Sequence, residues 1–279
     1  MFNPVSIFRP MRTALTLAAL ALSPLAAVAQ ENLLLEDVYE VTVMPGWRTE
    51  NGTNMAAIRI ELAPGWKTYW RSPGEIGIPP RFAWSGSRNL GKVEIFWPTP
   101  SIHYTNGLRS IGYSGTTVIP IELTPKSAAK GATLLRGEME LGICDQICIP
   151  TLVKLSADLP LGGSPDPEIL ASLADRPATA AEAGVRSVSC EVEPISDGLR
   201  ITARISLPKM GPEEATMFEL PDQSIWIGES TTTRRGRKLT AVADFVPPNA
   251  APFLLSRSDV RITVVGERGA VDIQGCAAP

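Results

Sequence analysis

The chain of 279 residues carries 26 Lys and Arg against 29 Asp and Glu, and its hydrophobic content of 44% is that of an ordinary globular protein. A near-neutral balance whose densest basic stretch is only Arg234-Arg235-Gly236-Arg237-Lys238 argues against nucleic acid as a partner, since that requires a clustered basic face. The lone histidine, His103, weighs against His-based metal sites and against Cys–His or Ser–His catalysis.

At the N-terminus, Arg9 and Arg12 precede an apolar run from Ala14 to Leu22, followed by Ala27-Val28-Ala29. This is the pattern of a signal peptide over residues 1–29, cleaved near Ala29. The run is about half of the roughly 20 apolar residues that span a bilayer, and no later stretch does better. The mature chain is therefore expected to be exported without membrane insertion into an oxidising compartment, where disulfides persist.

Beyond the signal, short alternating or β-branched stretches recur between Gly/Pro punctuation. "VYEVTV" (38–43), "MAAIRIEL" (55–62), a Pro-Gly turn and "WKTYW" (66–70) come first. "VEIFWP" (93–98), "TTVIPIEL" (116–123), "ATLLRGEMELGI" (132–143) and "CIPTLVKLSADLP" (148–160) continue the pattern, which predicts an all-β sandwich or barrel. Trp66 and Trp70 share one strand face and read as sandwich core; Arg71 and Glu75 read as solvated or structural. Residues 161–185 change character, being Gly/Ser/Pro-rich and then Ala-rich with a short helix over 167–175, and read as a linker. From 186 to 279 the β pattern resumes over about the length of one immunoglobulin sandwich. Neither block needs a cofactor to fold.

Four cysteines allow three pairings, of which the simplest joins Cys144 to Cys148 and Cys190 to Cys276. Bridged Cα atoms lie within about 7 Å, whereas four residues of straight strand advance roughly 13 Å. Since "GEMELGI" and "TLVKLSADL" both alternate around Cys144 and Cys148, the segment must reverse, with Asp145-Gln146-Ile147 as a hairpin loop. So short a bridge stabilises little by chain entropy, and an accessible one is the labile, reactive kind. Cys190 and Cys276 would instead close a loop of about ninety residues, where a structural disulfide helps most. Two cysteines and one distant histidine are too few for structural zinc; Cu(I) held by both thiolates and Met139 remains an alternative.

"GWKTYWRSPGEIGIPP" (65–80), "IGYSGTTVIPIEL" (111–123) and "CDQICIP" (144–150), in that order, resemble the N-terminal periplasmic domain of the thiol:disulfide interchange reductase DsbD, particularly its ScsB-type relatives. The resemblance covers roughly residues 35–160; the second block matches only loosely a β-domain that some relatives carry. It implies an immunoglobulin-like sandwich with its cysteine pair on a hairpin, hence an all-β protein of two immunoglobulin-like β-sandwich domains in tandem, over 30–160 and 186–279. It further implies a periplasmic electron shuttle, in which Cys148 forms mixed disulfides with oxidised periplasmic proteins and Cys144 resolves them. A cap loop over the pair would correspond to "PTPSIHYTNGLR" (98–109), with His103 or Tyr104 as the covering side chain, although a plain surface loop fits equally. No Lys or Arg adjoins either cysteine in sequence to lower its pKa, and Asp145 would raise that of Cys144. Full-length relatives continue into a membrane domain and a thioredoxin-like domain. This sequence ends at Pro279 with neither, so the expected partner is a separate transmembrane thiol reductase. The competing reading is a non-catalytic interaction or carrier protein, in which both disulfides are structural.

Overall fold

The alternation of "LLRGEMELGI" and "LRITARIS" sends every second residue inward, and two sheets facing one another are needed to bury each such row. The computed structural model describes residues 37–279 apart from 75 and 128–130, so the expected signal peptide and Glu75 lie outside the described residues. The first half contains β1 (Tyr39–Arg48), β2 (Asn54–Leu62), β3 (Lys67–Tyr69), β4 (Arg81–Ala83) and β5 (Leu90–Ile95). It continues with β6 (Ser101–Thr105), β7 (Leu108–Ser114), β8 (Thr116–Pro125), β9 (Leu134–Cys144) and β10 (Cys148–Asp158). One sheet runs β1-β2-β8-β5; the other runs β10-β9-β3-β7-β6, with β4 also on β9. Ile58 and Ile60 of β2, Ile119 and Ile121 of β8, and Met139, Leu141 and Ile143 of β9 fill the space between them.

A helix, α1 (Pro167–Ala174), and a two-residue strand, β11 (Ala178–Thr179), follow. The second half adds β12 (Ser187–Pro194), β13 (Leu199–Ser206), β14 (Glu214–Glu219) and β15 (Trp226–Ile227). Its last strands are β16 (Thr231–Arg235), β17 (Lys238–Val246), β18 (Arg261–Gly266) and β19 (Gly269–Gln274). The sheets β11-β19-β18-β14 and β12-β13-β17-β15, with β16 also on β17, enclose Ile201, Ile205, Phe218, Phe245, Ile262 and Val264. The protein is all-β with two sandwiches, as the residue pattern predicts. Among the described residues no helix is long and apolar enough to cross a membrane.

The segment expected to be a linker, 161–185, differs from a free connector. The carboxylate of Asp166 caps α1 by accepting from the N–H groups of Glu168 and Ile169 at 2.8 and 3.2 Å. The helix then buries Ile169 among Trp47, Met55, Ala57 and Val118 on the outer face of the β1-β2-β8 sheet. β11 pairs in parallel with β19, Ala178 opposite Val271, so the second sandwich takes up its first strand before residue 186.

The sandwiches also share a core of their own. Trp70, Ile111 and Tyr113 from the first pack against Ala215, Met217, Val265 and Ala270 from the second. Ion pairs rim this seam: the Arg71 guanidinium donates to both carboxylate oxygens of Glu219 at 2.9 and 3.1 Å, and Arg109 lies 2.8 Å from Glu229. Arg71 also stacks over Trp70, 4.1 Å from the ring centroid. Trp70 thus fills the joint between the sandwiches and not the core of the first one, because β3 ends at Tyr69 and the chain leaves toward the second sandwich.

Cys190, fully buried, is bridged to Cys276 with Cα atoms 5.7 Å apart and a sequence separation of 86. The tail beyond Cys276 lies along β12, the Cys190 N–H donating to Ala277 O at 2.9 Å. Replacing both cysteines by serine should cost up to about 4.6 kcal/mol, the loop-closure value for a bridge of this span, read as a lowered urea midpoint. An unchanged midpoint would mean that the core and the tail pairing hold this end unaided.

Candidate redox site

β9 and β10 form one hairpin whose register runs unbroken from Cys148 opposite Cys144 to Asp158 opposite Leu134. Asp145-Gln146-Ile147 closes it, with the Asp145 N–H donating to Ile147 O at 3.1 Å. The cysteines are therefore the first cross-strand pair after the turn, bridged with Cα atoms 4.2 Å apart. Met139, Leu141 and Ile143 point into the core, so by alternation Cys144 and Cys148 occupy the outer face of the sheet. Their surroundings differ. Cys144 is 0% exposed, whereas Cys148, on the edge strand, is open to solvent.

β3 builds the rest of this face. Lys67 pairs with Cys144 and Thr68 with Ile143, which puts Lys67 and Tyr69 on the cysteine side. The Tyr69 hydroxyl reaches across β9 and donates to Cys148 Sγ at 3.0 Å. The strand in between allows this because residue 142 has no side chain: a Cβ there would stand 3.1 Å from the Tyr69 ring. Gly77 fits against the ring in the same way, since a Cβ there would stand 3.0 Å from Cδ1. Burial raises the Tyr69 pKa, which keeps the phenol protonated and able to donate.

Lys67 is only 6% exposed. Its ammonium donates to Thr105 Oγ1, and no carboxylate forms an ion pair with it among the described residues. Burial lowers its pKa, opposed by the negative charge of Asp145. Lys67, His103, Thr105, Ser114 and Asp145 line a cavity of about 300 Å³ beside the cysteine hairpin.

The segment read as a cap loop is itself a hairpin, β6–β7. Asn106-Gly107 turns it with φ of 52° and 81°, the left-handed pair that a tight two-residue turn requires. His103 stands on a wall of the cavity, half-buried, hydrogen-bonded to the Gly112 backbone, with its Nε2 enclosed and unpartnered among the described residues. Burial is the main cause of its lowered pKa; the Gly112 bond opposes this, and the Lys67 charge adds to it. Tyr104 is 54% exposed, and its hydroxyl donates to Glu213 of the second sandwich. Neither side chain bonds a cysteine sulfur among the described residues.

Sequence reasoning passed over Lys67 and Tyr69. The alternation in "WKTYW" places them on one face, but only the pairing of β3 with β9 identifies that face as the cysteine side.

Residues 32–160 match the family described as thiol:disulfide interchange protein DsbD, N-terminal. The matched stretch is the first sandwich. The fold across both sandwiches is similar to that of the crystal structure of the N-terminal periplasmic domain of ScsB from Proteus mirabilis. That similarity has a TM-score of 0.63 and 23% sequence identity, and covers 86% of this chain and 92% of that one. No curated protein matches the chain.

The Tyr69 phenol, 3.0 Å from Cys148 Sγ, is placed to solvate a negative charge on that sulfur. In a Cys144→Ser chain, adding Tyr69→Phe should raise the apparent pKa of Cys148 by about one unit, the value of one hydrogen bond to a charged group. The pH dependence of iodoacetamide alkylation measures it. Gly142→Ala, which displaces the ring, should move the midpoint the same way.

Proposed function

We propose that this protein is a periplasmic thiol–disulfide interchange component, passing electrons through the Cys144/Cys148 couple from a transmembrane thiol reductase to oxidised periplasmic proteins. The observation that carries this reading is the unequal setting of the two sulfurs. A bridge spanning a sequence separation of 4 contributes little as a staple, yet it sits on an edge strand with one cysteine exposed and the other enclosed. The match of residues 32–160 to the DsbD N-terminal family supports the same chemistry, and the signal-like N-terminus supports the compartment.

The exchange balances as two thiolate displacements. In the reduced protein the Cys148 thiolate attacks one sulfur of the client disulfide; an intermolecular S–S bond forms and the other client sulfur leaves as a thiolate. The Cys144 thiolate then attacks Cys148 Sγ, re-forming the internal bridge and releasing the second client sulfur. The client gains two electrons and two protons, and the Cys144/Cys148 dithiol loses them. The exposed sulfur meets the partner while the enclosed one, 4.2 Å away at Cα, completes the transfer.

Titration against reduced and oxidised glutathione should give one reversible two-electron couple at Cys144/Cys148. A Cys144→Ser chain should accumulate mixed disulfides through Cys148, visible as thiol-sensitive adducts on non-reducing gels, and Cys148→Ser should form none. A bridge that stays closed across the glutathione range, with no adduct from Cys144→Ser, would sink the proposal.

A further inference from the structure

The dithiol mechanism requires an enclosed Cys144 to become a thiolate, and burial by itself opposes that. The structure contains an answer that no feature of the cysteine loop supplies. Lys67 is the residue directly opposite Cys144 on the neighbouring antiparallel strand. Directly opposed residues carry their Cβ atoms about 5 Å apart on the same face. The placement is corroborated by Tyr69, two residues along the same strand, whose hydroxyl reaches the bridge on that face. A lysine at this position is costly to enclose: it is 6% exposed, held by the neutral hydroxyl of Thr105, and without an ion-paired carboxylate among the described residues. A buried cation lacking a paired anion in the oxidised protein is accounted for if reduction creates the anion.

We propose that Lys67 is the positioning residue of the resolving step, its ammonium forming an ion pair with the Cys144 thiolate whenever the Cys144–Cys148 bridge is open. The inference rests on the dithiol reading above and deepens it. When the bridge is reduced, the Cys144 thiol gives up its proton to solvent and the thiolate remains beside the ammonium of Lys67, a residue that also lines the cavity with Thr105, Ser114 and Asp145. When that thiolate attacks Cys148, its charge leaves with the client sulfur, and Lys67 returns to Thr105 alone. The other ionisable groups facing the pair are Tyr69 from β3, Asp145 from the loop, and His103 and Tyr104 from β6. Asp145 attracts the Lys67 cation and repels the thiolate, so it works against the pair's effect on Cys144. His103, with its pKa lowered by burial, is neutral at neutral pH and Tyr69 is protonated, so neither cancels it.

The test uses the full chain with Cys148→Ser, in which Cys144 is the single free thiol, and follows the 13Cβ shift of Cys144 against pH. Lys67→Met should raise the thiolate midpoint by about one unit or more, a tenfold smaller thiolate fraction at neutral pH, while Lys67→Arg should hold it within about half a unit. A reciprocal measurement leaves Lys67 in place. Its 13Cε midpoint should be higher in the Cys148→Ser chain than in the Cys144→Ser/Cys148→Ser chain, by the same increment that Cys144 gains from Lys67. A merely structural lysine would not show this reciprocity. A Cys144 midpoint left unchanged by Lys67→Met, or a Lys67 midpoint indifferent to Cys144, would overturn the ion pair. If Lys67→Met does not fold, the reciprocal arm alone decides. None of these readouts needs a partner protein, so failure of the ion pair stays distinct from failure of the shuttle, which is read by the adducts of Cys144→Ser.

Discussion

The register between β9 and β10 is the constraint on which the site depends. Side chains alternate with a period of two, so slipping β10 by one residue would carry Cys148 to the opposite face and leave Cys144 without a partner. The register is held by the whole hairpin, from the turn at Asp145 to Asp158 opposite Leu134, and by the inward row Met139, Leu141 and Ile143 on β9. Because the core fixes the odd-numbered residues of β9, it fixes the even-numbered ones as well. The cysteine face is thus the reverse side of the packing face, set by the same alternation.

The short strand β3 turns that face into a site. Between β9 and β7 it has no freedom to rotate, since Lys67 is paired to Cys144 on one side and Ser114 on the other. Close approach helps to hold it: at Gly112, opposite Tyr69, any Cβ would lie 2.1 Å from Thr68 O. At the end of β3 the chain runs into Trp70 and Arg71, which are gripped by the second sandwich through Met217, Ala215 and Glu219. A three-residue strand anchored at both ends places a phenol on one sulfur and sets Lys67 in register opposite the other cysteine.

Much of this architecture was legible in the residues. Strong alternation marked β9, β10, β13 and the β18–β19 pair, and the spacing of Cys144 and Cys148 between two alternating stretches required a hairpin. The segment expected as a loop over 98–109 is a strand-paired hairpin, and the signal for that was present: Asn106-Gly107 is the dipeptide that favours a tight hairpin turn, flanked by "IHYT" and "LRSIGY". Short strands such as β4 and β11 carry no periodicity that could be recognised in two or three residues; they exist through their neighbours. The opposition of Lys67 and Cys144 belongs to the same class. It is a pairing between distant parts of the chain, set by the closure of a sheet and not by any local pattern.

The buried seam around Trp70 has a consequence for what counts as a domain in this protein. Sequence similarity draws a border after residue 160, but Trp70, Ile111 and Tyr113 lie inside that border and are covered from outside it. Cutting the chain there would lay bare two large aromatic rings and an isoleucine as one greasy patch, directly after the strand that bears Lys67 and Tyr69. The stretch matched by sequence similarity and the stretch that buries its own apolar surface therefore do not coincide, since the C-terminal half covers what the N-terminal one leaves bare.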